Sequence, residues 1–172
     1  MSNQPCTTCQ KAKANLVCGL CEAVICKKCT FFIEEDSFSF MPKLAPELLH
    51  TTYCSTCYDS TVAPFQLKYN ALMEQARNTM VFTKSQAKET RFIKRLENVV
   101  EVVNCADHDE AVLRLAFFAA HLKYNAILDV DIISTKVRTG HYQTTVYSGT
   151  GMPADVHESR LMKDRSLWST PN

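Results

Sequence analysis

The sequence predicts an α+β protein built in two parts, a small cysteine-rich module followed by a compact domain of order β-β-α-β-β. Three observations carry that expectation. Eight of the nine cysteines fall at the front of the chain as four Cys-x-x-Cys pairs: Cys6/Cys9, Cys18/Cys21, Cys26/Cys29 and Cys54/Cys57. Helically spaced apolar residues follow Pro64. From Thr79 onward, short β-prone runs surround one strongly helical stretch. The expected segments are a module over 1–61, a linking helix over 62–78, an α+β domain over 79–157 and a tail over 158–172.

The cysteine pairs come first. Two thiolates three residues apart can grip one ion, because a tight turn aims both inward, and four pairs supply two tetrahedral sites of four sulfurs each. A disulfide framework would need an oxidising compartment. The start Met1-Ser-Asn-Gln-Pro-Cys6 has neither a basic nor an apolar leader region, so no signal peptide is expected. No stretch reaches the roughly 18 apolar residues that span a bilayer. A cytoplasmic protein with two structural zinc ions is therefore expected, and a redox dithiol finds no βαβ context. Gly19, inside Cys18-Gly-Leu-Cys21, is expected at a positive φ beside a thiolate.

The gaps between successive pairs are 8, 4 and 24 residues. Only four residues separate Cys21 from Cys26, which makes it awkward for neighbouring pairs to share an ion. An interleaved cross-brace is expected, with Cys6, Cys9, Cys26 and Cys29 on one zinc and Cys18, Cys21, Cys54 and Cys57 on the other. Over residues 6 to about 60 this order resembles FYVE, B-box and RING fingers, which implies a treble-clef-like module. Phosphoinositide-reading FYVE domains carry a basic Arg/Lys-His-His-Cys-Arg run, and here that place reads Asn15-Leu-Val-Cys18-Gly. Residues 1–63 hold five Lys/Arg (11, 13, 27, 28, 43) against six Asp/Glu (22, 34, 35, 36, 47, 59), a net of −1. Neither a phosphoinositide nor a nucleic acid is an expected partner, since both need a basic surface.

The long gap from Thr30 to Tyr53 is rich in apolar side chains, among them Phe31, Phe32, Phe38, Phe40, Leu44 and Leu48. One reading is a loop that docks on a partner or a membrane, with Phe38 and Phe40 as interface candidates. The other is that a module of about 55 residues lacks a core of its own and the insert supplies it. His50, four residues before Cys54, is a spare ligand that eight sulfurs make unnecessary.

Behind the module, Phe65, Tyr69, Leu72, Met73 and Ala76 repeat at helical spacing, and Pro64 marks a helix start. Strands are expected at Thr79–Thr83 and Arg91–Val103, with a polar loop over Lys84–Thr90. Asp107 and Glu110 form a capping-box-like start to a helix reaching Lys123. Ala126–Thr139 and Tyr142–Ser148 then flank Gly140-His141 as a hairpin. On the helix, Val112, Leu115, Ala116, Ala119 and Leu122 share an apolar face, whereas Leu113 and Phe117 fall beside the polar stripe of Glu110, Arg114 and His121. Leu113 and Phe117 are thus candidates for a self-association or partner surface, unless the N-terminal part of the chain covers Phe117.

No catalytic assembly is legible. Asp129 and Asp131 alternate on a strand and are expected on its wetted face. Asp107 and Asp109 are explained by a helix N-terminus, and Cys105 by burial as an apolar thiol. His108, His121, His141 and His157 show no ligand spacing. No nucleophile meets a base and an orienting partner, so no enzyme is expected.

The stretch Ala120-His-Leu-Lys-Tyr124-Asn125-Ala126-Ile-Leu-Asp-Val130, followed by Thr144-Thr-Val-Tyr-Ser-Gly149-Thr-Gly151, resembles the YbjQ-type family of small bacterial proteins. That family's pattern is a helix entering Gly-Ala-Asn/Asp-Ala-(apolar)2-Gly-Val-Asp, and the sequence departs from it at Tyr124, Leu128 and Asp129. The resemblance implies a homo-oligomer formed by the C-terminal domain and a "putative heavy-metal-binding" label without an established activity. Together these readings predict a zinc-binding, non-enzymatic adaptor or scaffold acting on an unknown protein partner. The alternatives are a RING- or FYVE-like ligase-accessory or membrane-associated module, and a metal- or small-ligand-binding regulator working through the C-terminal domain.

Overall fold

The structure, a computed structural model, describes residues 4–11, 13–95 and 98–157. The expected tail over 158–172 lies outside the described residues. Two compact units divide the chain, Met1–Ala71 and Leu72–Asn172. Among the described residues no helix is long and apolar enough to cross a membrane.

The first unit has very little regular structure. A two-residue ladder joins β1 (Leu16–Val17) to β2 (Val24–Ile25), and a three-residue ladder joins β3 (Thr30–Phe32) to β4 (Thr52–Cys54). The insert between β3 and β4 turns back on itself and buries Phe38 and Leu48. Phe38 meets Phe65 and Tyr69 edge-on, with ring centroids 5.0 and 5.3 Å apart. The insert thus builds core for a unit too small to form one from its strands alone. Phe38 is corrected from a surface candidate to a core residue, and Phe40 is half-buried.

A helical run begins at α1 (Ser55–Cys57), passes through a π turn (Tyr58–Val62) and continues as α2 (Ala63–Arg77). The expected start at Pro64 falls inside this run. Proline lacks an N–H and its ring clashes with the carbonyl four residues back. The wide turn directly upstream, where Ala63 N–H donates to the Tyr58 carbonyl, accommodates it.

In the second unit β5 (Met80–Thr83), β6 (Val100–Cys105), β7 (Ala126–Thr139) and β8 (Tyr142–Ala154) form one sheet in the order β5-β7-β8-β6. β5 runs parallel to β7, and β8 runs antiparallel to both β7 and β6. The strand expected from Arg91 begins only at Val100, and Lys84–Gln86 forms a 3-10 turn capped by Thr83 and Gln86. α3 (His108–His121) starts where Asp107 accepts a hydrogen bond from Glu110 N–H at 2.7 Å, while the Glu110 carboxylate accepts from Ala106 N–H. Leu115, Ala111 and Ala119 of α3 pack on Val102, Cys105, Ile127 and Val130. Ile93, Leu128, Ala154 and Val156 bury the other sheet face. Ala126, Ile127 and Leu128 are consecutive and all buried, as a strand covered on both faces requires.

Two expectations for α3 are corrected. Phe117 is fully buried and stacks on the His121 ring one turn later, so it is not an exposed docking residue. Leu122 caps the C-terminus and is 47% exposed, because the helix ends before its side chain can join the apolar face. Leu113 is half-buried.

Candidate metal centres

Each of the first two cysteine pairs makes the same turn. Gln10 N–H returns to the Cys6 carbonyl at 2.8 Å, and Glu22 N–H returns to the Cys18 carbonyl at 2.9 Å. Both residues take a left-handed φ of 58°, which turns the chain sharply just after the second thiol. The positive φ expected at Gly19 lies instead on Gln10 and Glu22, non-glycine residues that give no sequence signal. Gly19 is needed for another reason: a Cβ there would lie 2.4 Å from Cγ of His50.

The ladders then bring distant pairs together. Thr7 binds the Val24 carbonyl through both its N–H and its hydroxyl, which pins the first turn to β2 just before Cys26. Cys18 and Cys21 sit on the turn between β1 and β2, and Gly19 N–H donates to the Thr52 carbonyl of β4, two residues before Cys54. The sulfurs of Cys6, Cys9, Cys26 and Cys29 all lie within 4.8 Å of one another, and so do those of Cys18, Cys21, Cys54 and Cys57. The pairing is interleaved, the arrangement of a cross-brace.

The spacing fits zinc. A tetrahedron with Zn–S of about 2.3 Å has sulfur–sulfur edges of about 3.8 Å. The Cys9–Cys26 and Cys21–Cys54 separations are 3.8 and 3.7 Å. A disulfide would need about 2.05 Å, and all nine cysteines are free thiols.

The electrostatics point the same way. N–H groups led by that of Cys9, and including that of Cys26 at 3.3 Å, pull the Cys6 thiol down to about 6. At Cys18, burial opposes ionisation, but N–H donors from Cys21 and Cys54 outweigh it and bring the thiol to about 6. Hydrogen bonding with Cys26 pushes Cys29 up to about 12, and burial with neighbouring thiols raises Cys57 as well. Each cluster therefore holds one ready thiolate and one thiol kept protonated by crowding. A divalent cation at the centre removes that conflict and allows all four to ionise.

The remaining candidates do not join these centres. His50 belongs to neither sulfur set; it covers Gly19 and meets the Tyr53 ring at 6.1 Å. Cys105 is fully buried at the end of β6, and burial raises its thiol. Asp129 and Asp131 do not share a wetted face. A β-bulge between Leu128 and Asp131 breaks the alternation, and Asp129 takes φ 51°. Arg95 grips Asp129 through Nε at 2.8 Å and a second nitrogen at 3.1 Å, and also holds the carbonyl and hydroxyl of buried Thr90. Asp131 pairs with Lys84. Comparison with protein families, with curated proteins and with solved structures yields no match.

Proposed function

We propose that this protein is a zinc-stabilised, non-enzymatic scaffold that presents a protein-binding module on a self-associating C-terminal unit. The observation that carries the reading is the pair of four-sulfur centres. Each of them supplies four ligands to a tetrahedral ion, so no position is left for water or substrate. Such an ion contributes folding free energy rather than chemistry. Exposed Val17, Phe31, Phe32 and Leu49 then offer apolar contacts on the first unit.

Two details support the likeness of the C-terminal unit to the YbjQ-type pattern. Asn125, at that pattern's Asn/Asp, binds both the N–H and the carbonyl of Val156 at 2.8 Å. Asp129, where the pattern has glycine, is left-handed. Self-association then has a surface available: past Ser134 and Tyr147 the β7–β8 hairpin extends beyond β6, with Val137 and Tyr142 exposed.

Metal analysis of the full chain tests the first half: two zinc ions per chain are expected, one after Cys9→Ser/Cys26→Ser, and none after Cys21→Ser and Cys54→Ser are added. A transition metal still held at stoichiometry by that last variant would overturn the structural role. Light scattering tests the second half, and a monomer at all concentrations would sink it.

One feature favours the small-ligand alternative. A cavity of about 310 Å³ in the second unit combines apolar Phe92, Ile93 and Val156 with polar Lys94, Tyr124, Asp155 and His157. A thermal-shift screen against small polar ligands of either charge reads that alternative directly, with His157→Ala as its control.

A further inference from the structure

The β3 strand sits at the edge of its two-stranded sheet and carries an unusual charge order. The segment reads Lys27-Lys28-Cys29-Thr30-Phe31-Phe32-Ile33-Glu34-Glu35-Asp36, with two cations before an apolar centre and three anions after it. Lys27, Lys28, Glu34, Glu35 and Asp36 are all exposed, and none of them takes part in an ion pair among the described residues. Phe31 and Phe32 are 40% and 56% exposed.

Backbone parity decides which groups face outward. Ile33 N–H donates to the Thr51 carbonyl, and Phe31 is opposite Tyr53 in the same register. In an antiparallel ladder, hydrogen-bonded and non-hydrogen-bonded pairs alternate. Phe31 therefore spends its N–H and C=O on β4 and Ile33 its N–H on Thr51, whereas Thr30 and Phe32 turn theirs to the open edge. An extended strand can add there.

We propose that this edge pairs antiparallel with β3 of a second copy of the chain, about a two-fold axis through Phe31. In that register Thr30 exchanges both backbone hydrogen bonds with Phe32 of the second copy. The two Phe31 rings then meet in the close, non-hydrogen-bonded position. Lys27 and Lys28, on the 3-10 turn that directly precedes β3, lie at one end of this edge and Glu34 and Glu35 at the other, so an antiparallel copy sets each cationic end against the other's anionic end, twice about the two-fold. A charge order that is opposite at its two ends is self-complementary only when antiparallel, which selects this orientation over the parallel one. The contact is isologous and closes at two copies. It lies within the first unit and is independent of self-association by the second.

The test uses the full chain in sedimentation over a concentration series. Lys27→Glu/Lys28→Glu and Glu34→Lys/Glu35→Lys each place like charges across the axis, and each is expected to weaken the association at least about ten-fold. An equimolar mixture of the two variants restores it, because opposite charges face each other again. Two zinc ions per chain in each variant show that the module is intact. Association unchanged in either variant, or no recovery in the mixture, overturns the proposal. Should a variant hold fewer than two zincs, Lys28→Gln and Glu34→Gln take its place, and unchanged association in those also overturns it. An assembly built by the second unit survives all of these substitutions, so the two modes read separately.

Discussion

The side chains that decide most in the first unit are not all cysteines. Gln10 and Glu22 hold a left-handed backbone at the point where each turn closes, a conformation costing roughly 1–2 kcal/mol for a residue with a Cβ. Glu22→Gly is therefore expected to raise thermal stability with two zincs retained, by about 0.5–1 kcal/mol. Gly19→Ala has the opposite sign. Its Cβ would strike the His50 ring, and melting should show a loss of about 1–3 kcal/mol. At Asp129 two effects separate. Asp129→Ala loses the Arg95 fork and keeps the unfavourable φ, whereas Asp129→Gly loses only the fork. The alanine variant should be the less stable by about 1 kcal/mol in denaturant titration.

The thiols also set a pH dependence. Cys6 and Cys18 are depressed from 9.0 to about 6 in the folded chain. Groups shifted downward stabilise the fold in full above their ordinary value, and that contribution is lost as pH falls through about 6. Zinc binding needs every sulfur deprotonated, so acid weakens it in the same direction. Metal retention measured against pH should fall on acidification, and retention that rises instead would contradict thiolate ligation.

Secondary structure was legible where local chemistry agrees with tertiary demand. The cap at Asp107, the helix over residues 109–123 and the hairpin around Gly140-His141 were all readable and are observed as α3, β7 and β8, although β8 runs on to Ala154 where the expected strand stopped at Ser148. Each carries its own signal: a capping carboxylate, apolar spacing or a turn pair. The Arg91–Val103 run was misread because it is rich in β-prone Phe, Ile and Val, although among the described residues only the part from Val100 finds a partner, β8. The bulge at Asp129 was invisible for a similar reason. It inserts a residue into the ladder without any change in composition. Leu115 is the element-scale test of α3: it is fully buried between helix and sheet, and Leu115→Ala should cost about 2–5 kcal/mol in chemical denaturation.

At the scale of the whole molecule, the two units are expected to depend on metal to different degrees. The core around the first unit's centres is Cys6, Cys18, Cys54 and Ile25, so most of what is buried there is ligand. The second unit buries aliphatic side chains on both sheet faces without any sulfur cluster. Chelation should therefore abolish amide protection in β1–β4 while β7 and β8 keep theirs. Hydrogen exchange with and without a chelator reads this directly, and uniform loss across both units would contradict it.

The ligand set itself was written in the sequence, because Cys-x-x-Cys geometry is local and a four-residue gap leaves interleaving as the natural pairing. Residue burial was not. Phe38 and Phe117 look alike in sequence to exposed Phe32, and only packing places the first two inside and leaves the third on an edge. The same holds for the charges around β3. Their order is visible in the chain, but their meaning depends on which backbone groups β4 leaves unused, and a ladder's parity exists only once two strands have met.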